Sequence, residues 1–73
     1  MKKETQCERI VRYMKDEGSI TPADAVYDLG IYRLAARICD LKREGVGIIA
    51  KMETTTTRYG DTVRYARYRL EDN

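Results

Sequence analysis

Residues 21–45, TPADAVYDLGIYRLAARICDLKREG, constrain this chain more than any other stretch, because they read as two capped helices around a single glycine. Thr21 is an N-cap, Pro22 takes the first helical position, where a missing N–H costs nothing, and Asp24 stands three residues after the cap to complete a capping box. A helix is therefore expected over about 22–29. Gly30 stops it, since glycine enters the left-handed conformation without a steric penalty. Leu34, Ile38 and Leu41 then recur at i, i+4 and i+7, predicting a second helix over about 31–44 that Gly45 closes.

Other segments must pack on this pair. Thr5-Gln6-Cys7-Glu8 is a further capping box, and Cys7, Ile10, Val11 and Met14 share one face, so a helix is expected over about 6–17 with Gly18 as its stop. Ser19 and Ile20 are too few for an independent strand, although Ile20 is placed to pair briefly with a later hairpin. In the helix over 22–29 the expected inward residues are Ala25, Val26 and Leu29. In the helix over 31–44 they are Leu34, Ala35, Ile38 and Leu41, with Tyr32, Arg33, Ala36, Arg37, Asp40 and Arg43 outward. After Gly45 the period changes from that of a helix to that of a strand. Val46, Ile48, Ala50 and Met52 alternate with Gly47, Ile49, Lys51 and Glu53, and later Ala66, Tyr68 and Leu70 alternate with Tyr65, Arg67 and Arg69. These are the arms of a hairpin over about 46–70, lengthened by Thr54–Thr57 and turning through Arg58, Tyr59, Gly60 and Asp61. Glu71-Asp72-Asn73 is expected to fray. Three helices followed by a two-stranded antiparallel hairpin give an α+β fold in winged helix-turn-helix order.

The chain has 73 residues and is read as one domain, 1–73, with a core barely large enough to fold without staples. No apolar run is long enough to span a bilayer, and the basic start Met1-Lys2-Lys3 leads into an amphipathic helix rather than a signal peptide, so a cytoplasmic location and no membrane partner are expected. Two cysteines and no histidine exclude a Cys/His zinc site within one chain, and two thiolates do not fill a tetrahedral structural site. Cys7 and Cys39 are expected to pack as small hydrophobes rather than to pair in a reducing compartment. With no histidine as general base, no glycine-rich phosphate loop and carboxylates on solvated helix faces, neither an enzyme nor a cofactor is expected.

The segments Gln6-Cys7-Glu8-Arg9-Ile10, Gly18-Ser19-Ile20-Thr21, Asp28-Leu29-Gly30-Ile31-Tyr32-Arg33-Leu34-Ala35-Ala36-Arg37-Ile38 and Arg64-Tyr65-Ala66-Arg67-Tyr68-Arg69-Leu70 resemble a family of small winged helix-turn-helix proteins. That family is common in bacteriophages, prophages and other bacterial mobile elements. The resemblance covers about residues 5–70 and implies a winged-helix fold and DNA binding, with transcription regulation as one role. One departure stands out. In the commonest helix-turn-helix pattern a small residue lies four positions before the turn glycine, whereas Ala25 lies five before Gly30. Either the helix over 22–29 carries an extra residue or the turn is reset, and the outward face of the next helix moves by one position accordingly.

The net charge of +2 is modest, so its distribution matters more than its total. Residues 1–30 carry five Lys/Arg against six Asp/Glu, residues 31–69 carry nine against four, and residues 70–73 carry two acids. Basic charge thus belongs to the third helix and the hairpin. Arg33 and Arg37, four apart, are candidates for two-bond contacts with guanine in the major groove, flanked by Tyr32 and Ala36 and followed by Arg43. The competing reading is a solvated face in which Arg37 pairs with Asp40 or Glu44, and Asp40 is expected to orient Arg37 or Arg43 rather than touch DNA. On the hairpin, Lys51, Arg58, Tyr59 and Arg64 are candidates for the DNA backbone or minor groove, while Arg67 and Arg69 read as protection of a sheet edge. Of six tyrosines, Tyr68 is expected in the core, Tyr13 and Tyr27 half-buried, and Tyr32, Tyr59 and Tyr65 at a contact surface. The expected partner is double-stranded DNA. The alternative is a protein gripped by the same Tyr/Arg surface, as a phage protein binding a host or phage partner would be. A monomer this small reads only a short site, so a homodimer or partner protein is the expected route to specificity.

Overall fold

The computed structural model describes residues 4–71. Helix α1 spans Gln6–Glu17, and both halves of its capping box are made: Glu8 N–H donates to Thr5 Oγ1 and Thr5 N–H to Glu8 Oε1, each at 3.1 Å. Gly18 ends it at φ 90° with its N–H on the Met14 carbonyl. Helix α2 opens as one α-helical turn at Pro22–Asp24, capped by Thr21 with the reciprocal bond from Asp24, and continues as a π-helix over Ala25–Leu29.

The π-turn explains the unusual spacing between Ala25 and Gly30. A π-turn holds one more residue than an α-turn, so the extra residue is absorbed within α2. Gly30 then enters the left-handed region at φ 68°, where any side chain would be strained, and Ile31 N–H donates to the Ala25 carbonyl at 2.9 Å. This closure carries Ile31 into the core, where it is fully buried. Tyr32 and Arg33 are thrown outward in exchange. The third helix, α3, consequently spans Leu34–Arg43 rather than 31–44, with Arg33 as its N-cap residue.

After Gly45 the chain forms β1, Ile48–Thr56, and β2, Thr62–Leu70, antiparallel in a register running from Ile48 opposite Leu70 to Thr56 opposite Thr62. The threonine run does lengthen the hairpin. Ile20 does pair with it: Ile20 N–H donates to the Tyr68 carbonyl at 2.8 Å and Tyr68 N–H to the Ile20 carbonyl at 2.9 Å, adding a one-residue third strand on the far side of β2.

The core is Ile10, Met14, Ile20, Ala25, Ile31, Leu34, Ile38, Leu41 and Ile48, with Cys7, Val11, Tyr13, Leu29, Val46, Tyr68 and Leu70 packed around it. Every element contributes, so no helix is stable alone; each buried aliphatic side chain is worth about 1.5–3 kcal/mol. Only the base of the hairpin joins the core. From Ile49 to Met52 the residues of β1 are exposed and the distal arm projects from the body, which gives the molecule a longest dimension of 45 Å.

Several expectations are corrected. Ala35, expected inward, is exposed, because it lies about 100° round the helix from Leu34 and off the axis of Leu34, Ile38 and Leu41, and Val26 is only half-buried within the π-turn. Tyr27 is 86 % exposed rather than half-buried, since it lies on the side of the π-turn away from Ala25. Cys39 is exposed and does not pack as a hydrophobe, although Cys7 does, and both are free thiols. Glu71 does not fray: its N–H donates to the Gly47 carbonyl at 3.0 Å, continuing the ladder past Leu70. Met1-Lys2-Lys3 and Asp72-Asn73 lie outside the described residues. Among the described residues no helix is long and apolar enough to cross a membrane.

Candidate nucleic-acid interface

The three helix starts differ. Thr5 and Thr21 close α1 and α2 with capping boxes, whereas Arg33, at φ −114° and ψ 58°, places no side-chain acceptor on the first N–H groups of α3. Those donors, with the positive end of the helix dipole, have no side-chain cap. Tyr32, 82 % exposed, and Arg33 stand beside them, and with Gln6, Gly30 and Arg37 they line an open hollow of about 380 Å³. The structure thus brings Tyr32, Arg33 and Arg37 together, but only Arg37 belongs to α3.

Arg37 does not project freely. Its Nη2 lies 3.1 Å from Asp40 Oδ2, its side chain is about two-thirds covered, and its Nε is buried with no hydrogen-bond partner. The flank of α3 carrying Arg37, Asp40 and Glu44 faces α1. There, burial first and then the charges of Glu44 and Asp40 push the Cys7 thiol above its ordinary pKa, against the opposing effect of Arg37. Arg43 leans on the same Asp40 at 3.8 Å. Asp40 therefore orients both arginines, as its position between them suggested. Ala36 is half-buried, and the exposed residues of α3 are Ala35, Cys39, Lys42 and Arg43. Leu34, Ile38 and Leu41 are buried as expected, so α3 is not turned as a whole; its exposed edge runs through Ala35, Cys39 and Lys42 rather than Ala36, Arg37 and Asp40. At about 100° per residue Lys42 and Arg37 lie at similar angles on either side of the Leu34–Ile38–Leu41 axis, so the periodicity did not separate them; the packing of α1 on the Arg37 flank did.

On the wing, Arg58 and Tyr59 sit in the loop at its tip, which Thr57 holds in shape: its Oγ1 accepts from both Tyr59 and Asp61 N–H at 3.3 Å, and its N–H donates to the Asp61 carbonyl at 2.8 Å. Tyr59 is 84 % exposed. Lys51 and Arg64 are exposed on opposite faces of the hairpin, because Lys51 pairs with Arg67 and Arg64 with Thr54. Among the described residues, Arg33, Lys42, Arg58 and Arg64 have no ion-pair partner.

Tyr65 and Arg67 are tied into the fold. Arg67 Nε donates to Glu53 Oε1 at 2.9 Å, its Nη1 to Ser19 Oγ at 3.0 Å, and the Tyr65 hydroxyl to the same Glu53 oxygen at 3.0 Å. The bonds from Arg67 and then Tyr65 hold the Glu53 carboxyl below its ordinary pKa, and the bond to Glu53 raises that of Arg67. Tyr13 is likewise engaged, donating to Asp28 Oδ2 at 2.6 Å across α1 and α2, which raises its phenol pKa.

Three helices with a glycine turn between the second and third, followed by a projecting hairpin steadied by a short third strand, define a winged helix-turn-helix domain. A family model described as a winged helix-turn-helix domain matches residues 5–73, and the chain belongs to that family. No curated protein matches the chain, and no solved structure does.

Proposed function

We propose that this protein binds double-stranded DNA as one winged helix-turn-helix unit, with the start of α3 at the major groove and the wing on the backbone or adjacent minor groove. One observation carries the reading above the others: the N-terminus of α3 has no side-chain cap and is flanked by the exposed Tyr32 and Arg33, an arrangement suited to a phosphate oxygen. Arg33 is the leading candidate for direct contact, followed by Lys42 and Arg43 on the exposed face of α3. Ala35 and Ala36 are small enough to let the helix approach base edges closely. Arg37, paired with Asp40, joins the interface only if binding displaces that carboxylate. Lys51, Arg58, Tyr59 and Arg64 supply the wing contacts.

A regulatory or accessory role in a phage or other mobile element accords with the family resemblance of the sequence, and a homodimer would lengthen the site read. Fluorescent mixed-sequence duplex, titrated at low and near-physiological salt, tests the reading. Binding that weakens steeply with salt and drops in the folded double variant Arg33→Ala, Arg37→Ala supports it. Absence of binding at low salt overturns it, and the same Tyr/Arg surface then becomes a site for a protein partner.

A further inference from the structure

The third strand is one residue long, and where it stops β2 keeps an open edge. Tyr68 directs both its N–H and its carbonyl away from β1, because both are bonded to Ile20. In an antiparallel ladder this orientation recurs at every second residue, so Ala66, Arg64 and Thr62 present their backbone groups to the same side. Continued antiparallel pairing would set Pro22 opposite Ala66. Proline has no N–H to give, and Thr21 and Pro22 start α2 at that point, so the chain turns away and leaves the edge unpaired. Among the described residues nothing bonds these three backbones on that side.

Beside this edge runs a groove of about 440 Å³ between the start of α2 and the wing, lined by Thr21, Pro22, Ala23, Thr55, Val63, Tyr65 and Arg67. Its floor is largely apolar and includes Val63, which is 41 % exposed. On the opposite face of β2 projects Arg64, exposed and without an acidic partner among the described residues.

We infer that this edge is a docking site for an extended segment of a partner protein, which adds a strand to β2 and carries an acidic residue between two apolar β-branched ones. The residue opposite Arg64 lies on the same face as its guanidinium, so a carboxylate there makes a cross-strand ion pair. Its two neighbours fall on the other face, over Pro22, Ala23 and Val63, where apolar side chains are covered. Main-chain bonds supply affinity and the alternating side chains supply selection, as in other strand additions. A second copy of this chain fits poorly: antiparallel pairing centred on Arg64 sets that arginine opposite its own copy. The site uses no residue of α3, although Arg64 also belongs to the proposed DNA surface.

The probe is the capped peptide acetyl-Thr-Val-Glu-Val-Thr-amide, titrated without DNA into the full chain labelled with nitrogen-15. Amide shifts and slowed hydrogen exchange at Thr62, Arg64 and Ala66, with smaller shifts at Ala23 and Val63, are expected. Replacing the central glutamate of the probe by lysine should weaken binding by about five-fold or more, and Arg64→Glu in the protein should reverse that preference. Backbone N-methylation of the probe should abolish binding. No shifts at millimolar probe, shifts confined to α3, equal binding of both probes, or unchanged binding after N-methylation would each overturn the proposal. Because DNA is absent, failure here leaves the DNA reading standing, and loss of DNA binding leaves this one standing.

Discussion

Arg37 and Lys42 separate two ways of placing α3 on DNA. By periodicity alone Arg37 belongs to the groove-facing side and Lys42 does not. Packing against α1 reverses this, leaving Arg37 two-thirds covered against Asp40 and Lys42 exposed. If Arg33, Lys42, Lys51, Arg58 and Arg64 each neutralise one phosphate, log affinity should fall with log salt at a slope of about −4.5, or about 500-fold between 50 and 200 mM salt. Removing one contact lowers the slope by about 0.9, so Lys42→Ala and Arg33→Ala should each reduce that loss to about 150-fold. Arg37→Ala should leave the slope near the wild-type value. Its effect falls on stability and stays under about 1 kcal/mol, because the half-exposed pair with Asp40 is weak and the substitution also removes an unbonded Nε. Fluorescence anisotropy on one duplex at four salt concentrations, with circular dichroism to confirm folding, reads all three variants. A full unit of slope lost in Arg37→Ala, with none lost in Lys42→Ala, would refute this placement of α3.

Other consequences concern the scaffold. Ile20 is fully buried, so Ile20→Ala should cost about 2–4 kcal/mol in urea denaturation; a loss under about 1 kcal/mol would show that its side chain does not anchor the third strand in the core. Both threonine caps should matter to different degrees. Thr5→Ala is expected to cost about 1 kcal/mol and Thr21→Ala up to about 2 kcal/mol, since the Thr21 cap is buried and the Thr5 cap exposed; equal losses would show that burial of the cap adds nothing. The Tyr13 phenol is raised by its bond to Asp28, so the folded state favours the neutral form. Its contribution is fully present below the ordinary phenol pKa of about 10 and is lost as pH rises beyond it. Tyr13→Phe should therefore show a shallower alkaline fall in melting temperature than the wild type, and identical falls would count against the bond.

Much of this protein is local and can be read from a few residues at a time. Thr5 with Glu8 and Thr21 with Asp24 start their helices, Gly18 and Gly30 stop them, and the change of period after Gly45 announces the hairpin, because a cap or a turn is satisfied within three or four residues. Even the one-residue pairing of Ile20 could be anticipated from its place between two glycine-bounded elements. The face that α3 offers could not. The spacing from Ala25 to Gly30 left two solutions open, and the choice between a π-turn and a reset turn depends on whether burying Ile31 beside Ile10, Met14 and Ile38 outweighs a less regular helix. That balance is struck among residues far apart in the chain. The same holds for Arg37, which helical geometry puts on the flank of the Leu34–Ile38–Leu41 face and which only the packing of α1 covers. Element identity came from local hydrogen bonding, and the rotation that selects which arginine or lysine meets a partner came from packing in the assembled core.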